Sequence, residues 1–244
     1  MFAERRMTLS NTSNHFISHL PEHYRQILQP HLRTVDLEHT KVLHRAGDVI
    51  ERMYFPHDGV ISFVVGMSDG RFVEAGMFGR NSVVSPGAAL DGPIALNQAI
   101  VQAKGWGSVI DTPTMRRLAR EHEPIRVALA SHEQMMTAHC QQVAACNALH
   151  ELEARLSRWL LQSADLLNSD TLPLTQEYIS QMLGVNRSSV TLVAKRLQQA
   201  GLIAYNRGIV RIADRDGLID TSCECYAAIN AHIYRLSGWS PLTV

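Results

Sequence analysis

Glycine and proline are distributed so unevenly along this chain of 244 residues that they divide it into two kinds of structure. Ten of the 15 glycines lie between Gly47 and Gly107, whereas the 48 residues from Ile125 to Leu172 contain neither glycine nor proline. Glycine favours tight turns, and both residue types interrupt helices. The distribution therefore predicts short strands joined by turns in the first region and helix in the second.

Short apolar segments separated by turn residues fill the glycine-rich region. They follow a helical opening, near residues 15–32, that is broken at Pro21 and Pro30. The candidate strands are Val42-Leu43, Val49-Ile50, Met53–Phe55, Val60–Val65, Phe72–Ala75, Ile100–Ala103 and Ser108–Ile110. Turn signals recur about every ten residues, which is typical of a small β-barrel or sandwich. Gly105-Trp106-Gly107 is predicted to be a turn, and Thr112-Pro113 to begin a helix with Thr112 as N-cap.

The long helical segment carries two apolar stripes at helical spacing. The first consists of His132, Met136, His139, Val143, Cys146 and His150, and the second of Met135, Ala138, Gln142, Ala145, Leu149, Leu152, Leu156 and Trp159. Two adjacent stripes allow contact both with the helix's own domain and with a partner helix in a parallel homodimer. The predicted dimer seam is Met136, His139, Val143 and Cys146. The alternative is a helix buried within one chain. The seam histidines either sense pH together or are solvated edge residues.

A compact series of helix and strand signals follows Asp170. Helix signals run from Tyr178 to Leu183, break at Gly184 and resume from Arg187 to Ala200. Thr175 is the predicted N-cap of the first helix, within an incomplete capping box. Residues 202–205 and 209–212 then alternate as a hairpin around Asn206-Arg207-Gly208. Helix, turn, helix and hairpin in this order predict a winged helix-turn-helix.

Basic residues are concentrated here although the whole chain is neutral, with 23 Lys and Arg against 23 Asp and Glu. Residues 178–213 contain five basic residues and no acidic residue, which indicates DNA binding. The predicted DNA contacts are Thr175 and Gln176 on the first helix, Arg187, Ser188, Ser189 and Thr191 at the start of the second, Lys195 and Arg196 further along it, and Arg207 at the hairpin tip. The alternative is a solvated basic face.

The segment from Leu174 to Val190, LTQEYISQMLGVNRSSV, resembles the helix-turn-helix of the Crp/Fnr transcription regulators. Phe55-Pro56-x-x-Gly59-Val60-Ile61-Ser62 and Gly79-Arg80 resemble that family's cyclic-nucleotide-binding-like β-roll, and the helical segment resembles its dimerisation helix. The resemblance implies an α+β fold. Residues 15–122 would form the β-roll sensor domain, a double-stranded β-helix, residues 123–150 the dimerisation helix and residues 151–235 the winged helix-turn-helix. It also implies a homodimer on a palindromic site in double-stranded DNA, with RNA polymerase and a small-molecule effector as further partners.

The candidate effector pocket departs from the family's pattern. In alignment with the family, Gly87 takes the place of the Glu that binds the ribose, and Asn97 and Gln98 take the places of the phosphate-binding Arg and the neighbouring Ser. Arg80, if it points inward, is the residue that could compensate an anion. A phosphate left without a bidentate cation is costly to bury, so we expect no control by cyclic AMP. The alternatives are a module that does bind a cyclic nucleotide and a regulator with a vestigial DNA domain.

Other classes of protein and site are disfavoured by what the sequence lacks. No apolar run approaches the roughly 20 residues that cross a bilayer, so we expect a cytoplasmic protein without a membrane partner. No H-E-x-x-H, G-x-S-x-G or phosphate-binding loop is present, so we expect no enzyme. No cysteine precedes Cys140, which excludes the family's N-terminal iron–sulfur sensor. Cys223 and Cys225 offer half a metal site or a redox switch, or are simply packed, so no cofactor or metal is predicted.

Overall fold

The computed structural model describes residues 13–237. Within this range the chain forms two compact units, residues 13–63 with 78–136 and residues 64–77 with 137–237. No helix in the described range combines the length and apolar character that crossing a membrane requires.

Two short helices open the first unit, α1 (His15–His19) and α2 (Glu22–Leu28), followed by a 3₁₀ turn (Gln29–His31). The breaks fall at Pro21 and at the turn that contains Pro30, as the sequence predicts. Asn14 caps α1, since its Oδ1 accepts a hydrogen bond from the Ile17 N–H at 3.2 Å. Its Nδ2 donates to the carbonyl of Pro56 at 2.8 Å and so fixes α1 on the strands.

The described part of the β-roll has seven strands. They are β1 (Arg33–Leu37), β2 (Val42–His44), β3 (Arg52–Pro56), β4 (Val60–Gly66), β5 (Phe72–Phe78), β6 (Gln98–Ala103) and β7 (Gly105–Asp111). One sheet has the order β1-β7-β3 and the other β2-β6-β4-β5. Phe55, Ile61 and Ile110 are completely buried in the core. Glycine is required before β4, because Gly59 has a φ of +86° and a Cβ there would lie 2.7 Å from the Ala103 carbonyl oxygen.

The strands differ from the predicted ones at three places. β1 was not predicted, because its residues are mostly half-exposed and polar and give no clear alternation. Val49-Ile50 is wrong as a strand, since Val49 forms only an isolated bridge with Ile94. Gly105-Trp106-Gly107 is wrong as a turn and lies inside β7. A Cβ at Gly107 would meet the backbone oxygen of Phe55 at 2.8 Å, so this glycine permits close pairing of β7 with β3.

Three helices follow the β-roll: α3 (Thr112–Glu121), α4 (Glu123–Leu149) and α5 (Leu152–Leu167). The N-cap of α3 is Asp111, so the predicted N-cap at Thr112 is wrong by one residue. The helical conformation is interrupted between α4 and α5, where the backbone of Glu151 is extended with φ −63° and ψ 153°. The second predicted stripe therefore does not follow a single helix.

The remaining elements form the C-terminal domain of the second unit. They are β8 (Thr171–Leu172), α6 (Gln176–Leu183), α7 (Arg187–Gln199), β9 (Ile203–Asn206), β10 (Ile209–Ile212), α8 (Arg215–Thr221) and α9 (Cys225–Ser237). β10 pairs antiparallel with both β8 and β9.

Trp159 of α5 is 1% exposed, and its Nε1 donates to Glu74 Oε1 at 2.8 Å. The predicted α+β class and the winged helix-turn-helix are confirmed.

Candidate nucleic-acid interface

The two helices of the helix-turn-helix pack through apolar side chains on one face of each. Ile179 and Met182 on α6, and Val190 and Leu197 on α7, are at most 2% exposed. Gly184 ends α6 with φ +65°, and its N–H closes the helix on carbonyls of the last turn. The buried faces and this short turn fix which side of α7 is directed to solvent.

The outward face of α7 carries polar and basic side chains. Exposed residues on α7 include Arg187, Ser188, Thr191, Leu192, Lys195 and Arg196, whereas the predicted contact Ser189 is half-buried at the side of the helix. Leu192 lies on this face within the first two turns of α7. It is 54% exposed and lies four residues after Ser188, on the same face. An apolar side chain in this position can contact a thymine methyl group.

The basic residues of α7 and of the β9–β10 hairpin all reach solvent. Lys195, Arg196, Arg207 and Arg211 are exposed, as is Arg187. Arg187 also borders a cleft of about 890 Å³ that is lined in addition by side chains of the β4–β5 turn and of α6. Exposed cations on one helix and one hairpin suit a phosphate backbone, because each phosphate that they neutralise releases counterions condensed on the DNA.

The start of α6 is tied to both α7 and the hairpin. Thr175 Oγ1 accepts a hydrogen bond from the Tyr178 N–H at 3.1 Å, which confirms Thr175 as the N-cap. Thr191 Oγ1 donates to Gln176 Oε1 at 2.7 Å. The Gln176 N–H donates to the Tyr205 hydroxyl at 3.0 Å. Thr175 and Gln176 therefore position α7 and β9, in addition to any role at a phosphate.

The β9–β10 hairpin closes with a two-residue turn. Asn206 pairs with Ile209, and the intervening Arg207 and Gly208 have φ values of +45° and +81°. Two positive φ values are those of a type I′ turn, which favours Asn-Gly. Arg207 thus holds a backbone conformation that a long side chain adopts only at a cost.

Replacing Arg207 by Asn is therefore expected to stabilise the protein by about 1 kcal/mol. Asn tolerates the left-handed region, so the hairpin keeps its register with less strain. Urea denaturation measures the change in the free energy of unfolding. Arg207→Lys is the matched control, because it keeps both the charge and the unfavourable backbone. Equal stability of the two variants would contradict a strained turn.

In the candidate effector pocket, a carboxylate from α4 lies at Gly87, the position that aligns with the family's ribose-binding Glu. Gly87 lies in a 3₁₀ turn (Pro86–Leu90), and its N–H donates to Glu133 Oε2 at 2.8 Å. Glu133 comes from α4, 46 residues further along the chain. Because an acceptor with negative charge already occupies this N–H, an anionic ligand would be repelled at Gly87.

Asn97 is connected to the same turn through a histidine. His44 Nδ1 lies 3.2 Å from the Asn97 carbonyl oxygen, and its Nε2 lies 2.8 Å from Ser85 Oγ. Gln98, the first residue of β6, is half-buried. The sequence did not identify His44 or Glu133 as part of this region, since each is far along the chain from the residue that it contacts.

Arg80 is placed beside the N-terminal helix. Its carbonyl oxygen accepts a hydrogen bond from the His15 N–H at 2.7 Å. Burial, together with the nearby Arg80 charge, lowers the pKa of His15. The backbone of Arg80 therefore contacts α1, whereas the backbone of Gly87 contacts Glu133 on α4.

The predicted dimer seam requires a correction. Met136, His139, Val143 and Cys146 are each at most 4% exposed in the single chain. Their side chains are already covered, so they offer almost no surface to a partner helix. The exposed face of α4 lies on its opposite side and carries Val127, Ala130, Gln134, Thr137, Gln141, Ala144 and Ala148.

The α4 histidines are not solvated edge residues. His132 and His139 are 3% and 4% exposed, and burial lowers the pKa of each to about 3. The Val83 N–H donates to His132 Nε2 at 3.1 Å, which fits a neutral ring. Both histidines therefore stay neutral well below pH 6 and do not sense pH near neutrality.

A group of potential metal ligands also lies in the second unit. Cys223 and Cys225 come together with Cys146 and His150, and the four ligand atoms lie within 4.8 Å of one another. The sequence indicated only the first two residues as half a site.

Comparisons with known proteins agree with this geometry. Residues 154–221 match the family model described as the Crp-like helix-turn-helix domain. A search of curated proteins finds no match.

Solved structures with this fold include three regulators. FixK2 from Bradyrhizobium japonicum is 14% identical, with a TM-score of 0.68 over 79% of this chain and 98% of that one. A CRP-family transcriptional regulator from Thermus thermophilus is 20% identical, with a TM-score of 0.63 over 85% and 98% of the two chains. The c-di-GMP responsive regulator CLP from Xanthomonas campestris is 16% identical, with a TM-score of 0.62 over 75% and 94%. The chain therefore has the fold of the Crp/Fnr transcription regulators and carries their Crp-like helix-turn-helix domain.

Proposed function

We propose that this protein is a transcription regulator that binds a palindromic DNA site as a homodimer, without control by a cyclic nucleotide. The observation that carries the proposal is the outward face of α7, which is basic, exposed and held by a Crp-like helix-turn-helix. A vestigial DNA domain has no reason to keep this face free of acidic residues.

Each part of the interface has a distinct role in this proposal. Arg187, at the start of α7, enters the major groove and binds guanine O6 and N7 together. Ser188 and Leu192 contact neighbouring base edges from the same face. Lys195, two turns further on, and Arg207, at the wing tip, bind phosphates and set the position of the domain on the duplex.

Support for the homodimer comes from the exposed face of α4. Its residues Val127, Ala130, Gln134, Thr137, Gln141, Ala144 and Ala148 follow steps of three and four, the heptad spacing of a two-helix seam. The small side chains among them, Ala130, Thr137, Ala144 and Ala148, allow two helices to approach closely. A two-fold axis along this face would present two copies of α7 to the two halves of a palindrome.

The experiment that tests the function is selection of bound sequences from a pool of random duplexes by the purified full chain. We expect enrichment of an inverted repeat whose half-sites are about one helical turn, 10–10.5 base pairs, or a multiple of it apart. Recovery of an unenriched pool would reject sequence-specific binding. Recovery of a single half-site would reject the homodimer.

Cyclic AMP and cyclic GMP at millimolar concentration are expected neither to raise the melting temperature nor to strengthen DNA binding. The phosphate position in the alignment carries Asn97 and Gln98, which are uncharged, so the buried anion would lack a bidentate cation. Calorimetry and DNA-binding titrations measure the two effects. A micromolar site that Arg80→Ala abolishes would contradict the proposal, because Arg80 would then supply the missing charge.

A further inference from the structure

Three cysteine thiols and one histidine converge where α9 meets the end of α4. Cys146 lies in the last turns of α4, and His150 follows four residues later, so both project from the same side of the helix end. Cys223 and Cys225 flank Glu224 at the start of α9. The fold brings Cys146 and Cys223 into contact, although they lie 77 residues apart in the sequence.

The spacing of the four ligand atoms suits a tetrahedral metal ion. Cys146 Sγ lies 3.5 Å from Cys223 Sγ, and Cys225 Sγ lies 3.6 Å from His150 Nδ1. Zinc bound to sulfur at about 2.3 Å separates two ligating sulfurs by about 3.8 Å. The four atoms lie within 4.8 Å of one another, so closure around an ion needs shifts of about 1 Å or less.

The sulfur atoms are reduced and shielded from water. All four cysteines of the chain are free thiols, and the Cys146–Cys223 separation exceeds the roughly 2.05 Å of a disulfide. Cys146, Cys223 and Cys225 are 0%, 7% and 1% exposed and pack with Ala154. Three thiols buried together, with no disulfide among them, are available as metal ligands.

His150 has the outer partner that metal-binding histidines normally have. Its Nδ1 faces the sulfurs, while its Nε2 lies 3.2 Å from Glu224 Oε1. A carboxylate in this position fixes the orientation of the ring and raises the basicity of the ligating nitrogen. Gln142 Nε2 donates to Cys225 Sγ at 3.0 Å and can stabilise a thiolate there.

A buried cation lies beside the cluster, since the Arg158 guanidinium interacts with Cys146. Metal binding would displace the protons of Cys223 and Cys225, whose pKa burial raises. Three thiolates and one neutral imidazole would leave a single negative charge on a divalent ion. Arg158 is 1% exposed and supplies a buried positive charge beside it.

We propose that Cys146, His150, Cys223 and Cys225 bind one zinc ion, or a divalent ion of similar preference, in a closed structural site. Four protein ligands leave no open coordination position, so the ion would hold the start of α9 to the end of α4 rather than catalyse a reaction. The proposal does not depend on the proposed function.

The test is titration of the reduced, metal-free full chain with Co²⁺ and then Zn²⁺. We expect one equivalent of Co²⁺ to give thiolate charge-transfer bands and the intense visible bands of tetrahedral coordination, and one equivalent of Zn²⁺ to displace it. Zinc should also raise the melting temperature, because it binds the folded chain in preference to the unfolded one.

Variants separate a specific site from adventitious thiol binding. Cys223→Ser should abolish the tetrahedral spectrum, whereas the matched control Cys140→Ser, outside the cluster, should leave it unchanged. Glu224→Gln removes an exposed group that is not a ligand, so the chain should fold and bind zinc about 10–100-fold more weakly. Unchanged affinity in that variant, an octahedral cobalt spectrum, or a Cys146–Cys223 disulfide with no metal uptake would each overturn the proposal.

Discussion

Replacing Arg187 by Ala is expected to weaken binding to the selected DNA site by about 1–3 kcal/mol, roughly 5–150-fold, and to relax base preference at one position. Arg187 opens α7 on the exposed side of a helix whose other side is buried against α6. Its guanidinium can make two hydrogen bonds to one guanine, and Ala can make none. Fluorescence anisotropy with the selected duplex and a scrambled duplex, each over a salt series, measures both effects.

Lys195→Ala is the matched control for this prediction, since it removes one charge from the same exposed face. It should weaken binding to both duplexes alike and reduce the slope of log affinity against log salt by about 1. Equal losses on the two duplexes for Arg187→Ala would mean that Arg187 contacts only phosphate. The base-reading role would then be rejected.

Replacing Ala144 by Glu is expected to convert the proposed homodimer to a monomer and to lower its affinity for a full palindrome by about 10²–10⁴-fold. In a parallel pair Ala144 meets its own copy, so the variant brings two carboxylates into the seam. Two linked DNA domains gain affinity because the second binds at high effective concentration, and a monomer loses that gain. Sedimentation equilibrium and DNA titration measure the two changes.

Ala144 is exposed in the single chain, and Glu is a good helix former, so the fold should survive the substitution. Leu96→Glu is the control, because it adds the same charge at a position that is 89% exposed. A dimer that persists in Ala144→Glu would place the interface elsewhere. A monomeric wild-type chain with full affinity for the palindrome would reject the homodimer altogether.

The DNA domain could be predicted from the sequence because its signals are local. Thr175, Gly184 and the Arg207-Gly208 turn each act within a few residues of their own position, through a cap, a left-handed helix end and a tight hairpin. Local backbone preference and tertiary packing agree there. The pattern therefore gives both the elements and their order.

The contacts that escaped prediction join distant segments. Glu133 reaches Gly87 across 46 residues, and Cys146 reaches Cys223 across 77. Nothing in the neighbourhood of either residue indicates its partner. The dimer seam was placed wrongly for a related reason, since helical periodicity reveals an apolar stripe but not what covers it. The chain's own core covers Met136 and Val143.

The left-handed backbone at Arg207 makes the stability of the hairpin and the proposed phosphate contact depend on the same residue in opposite ways. A search for more stable variants that is guided by turn statistics would replace Arg207 by Asn or Gly early. Either substitution removes the positive charge from the wing tip. Selection for stability alone would favour Asn at position 207, whereas selection for the proposed DNA binding would favour Arg.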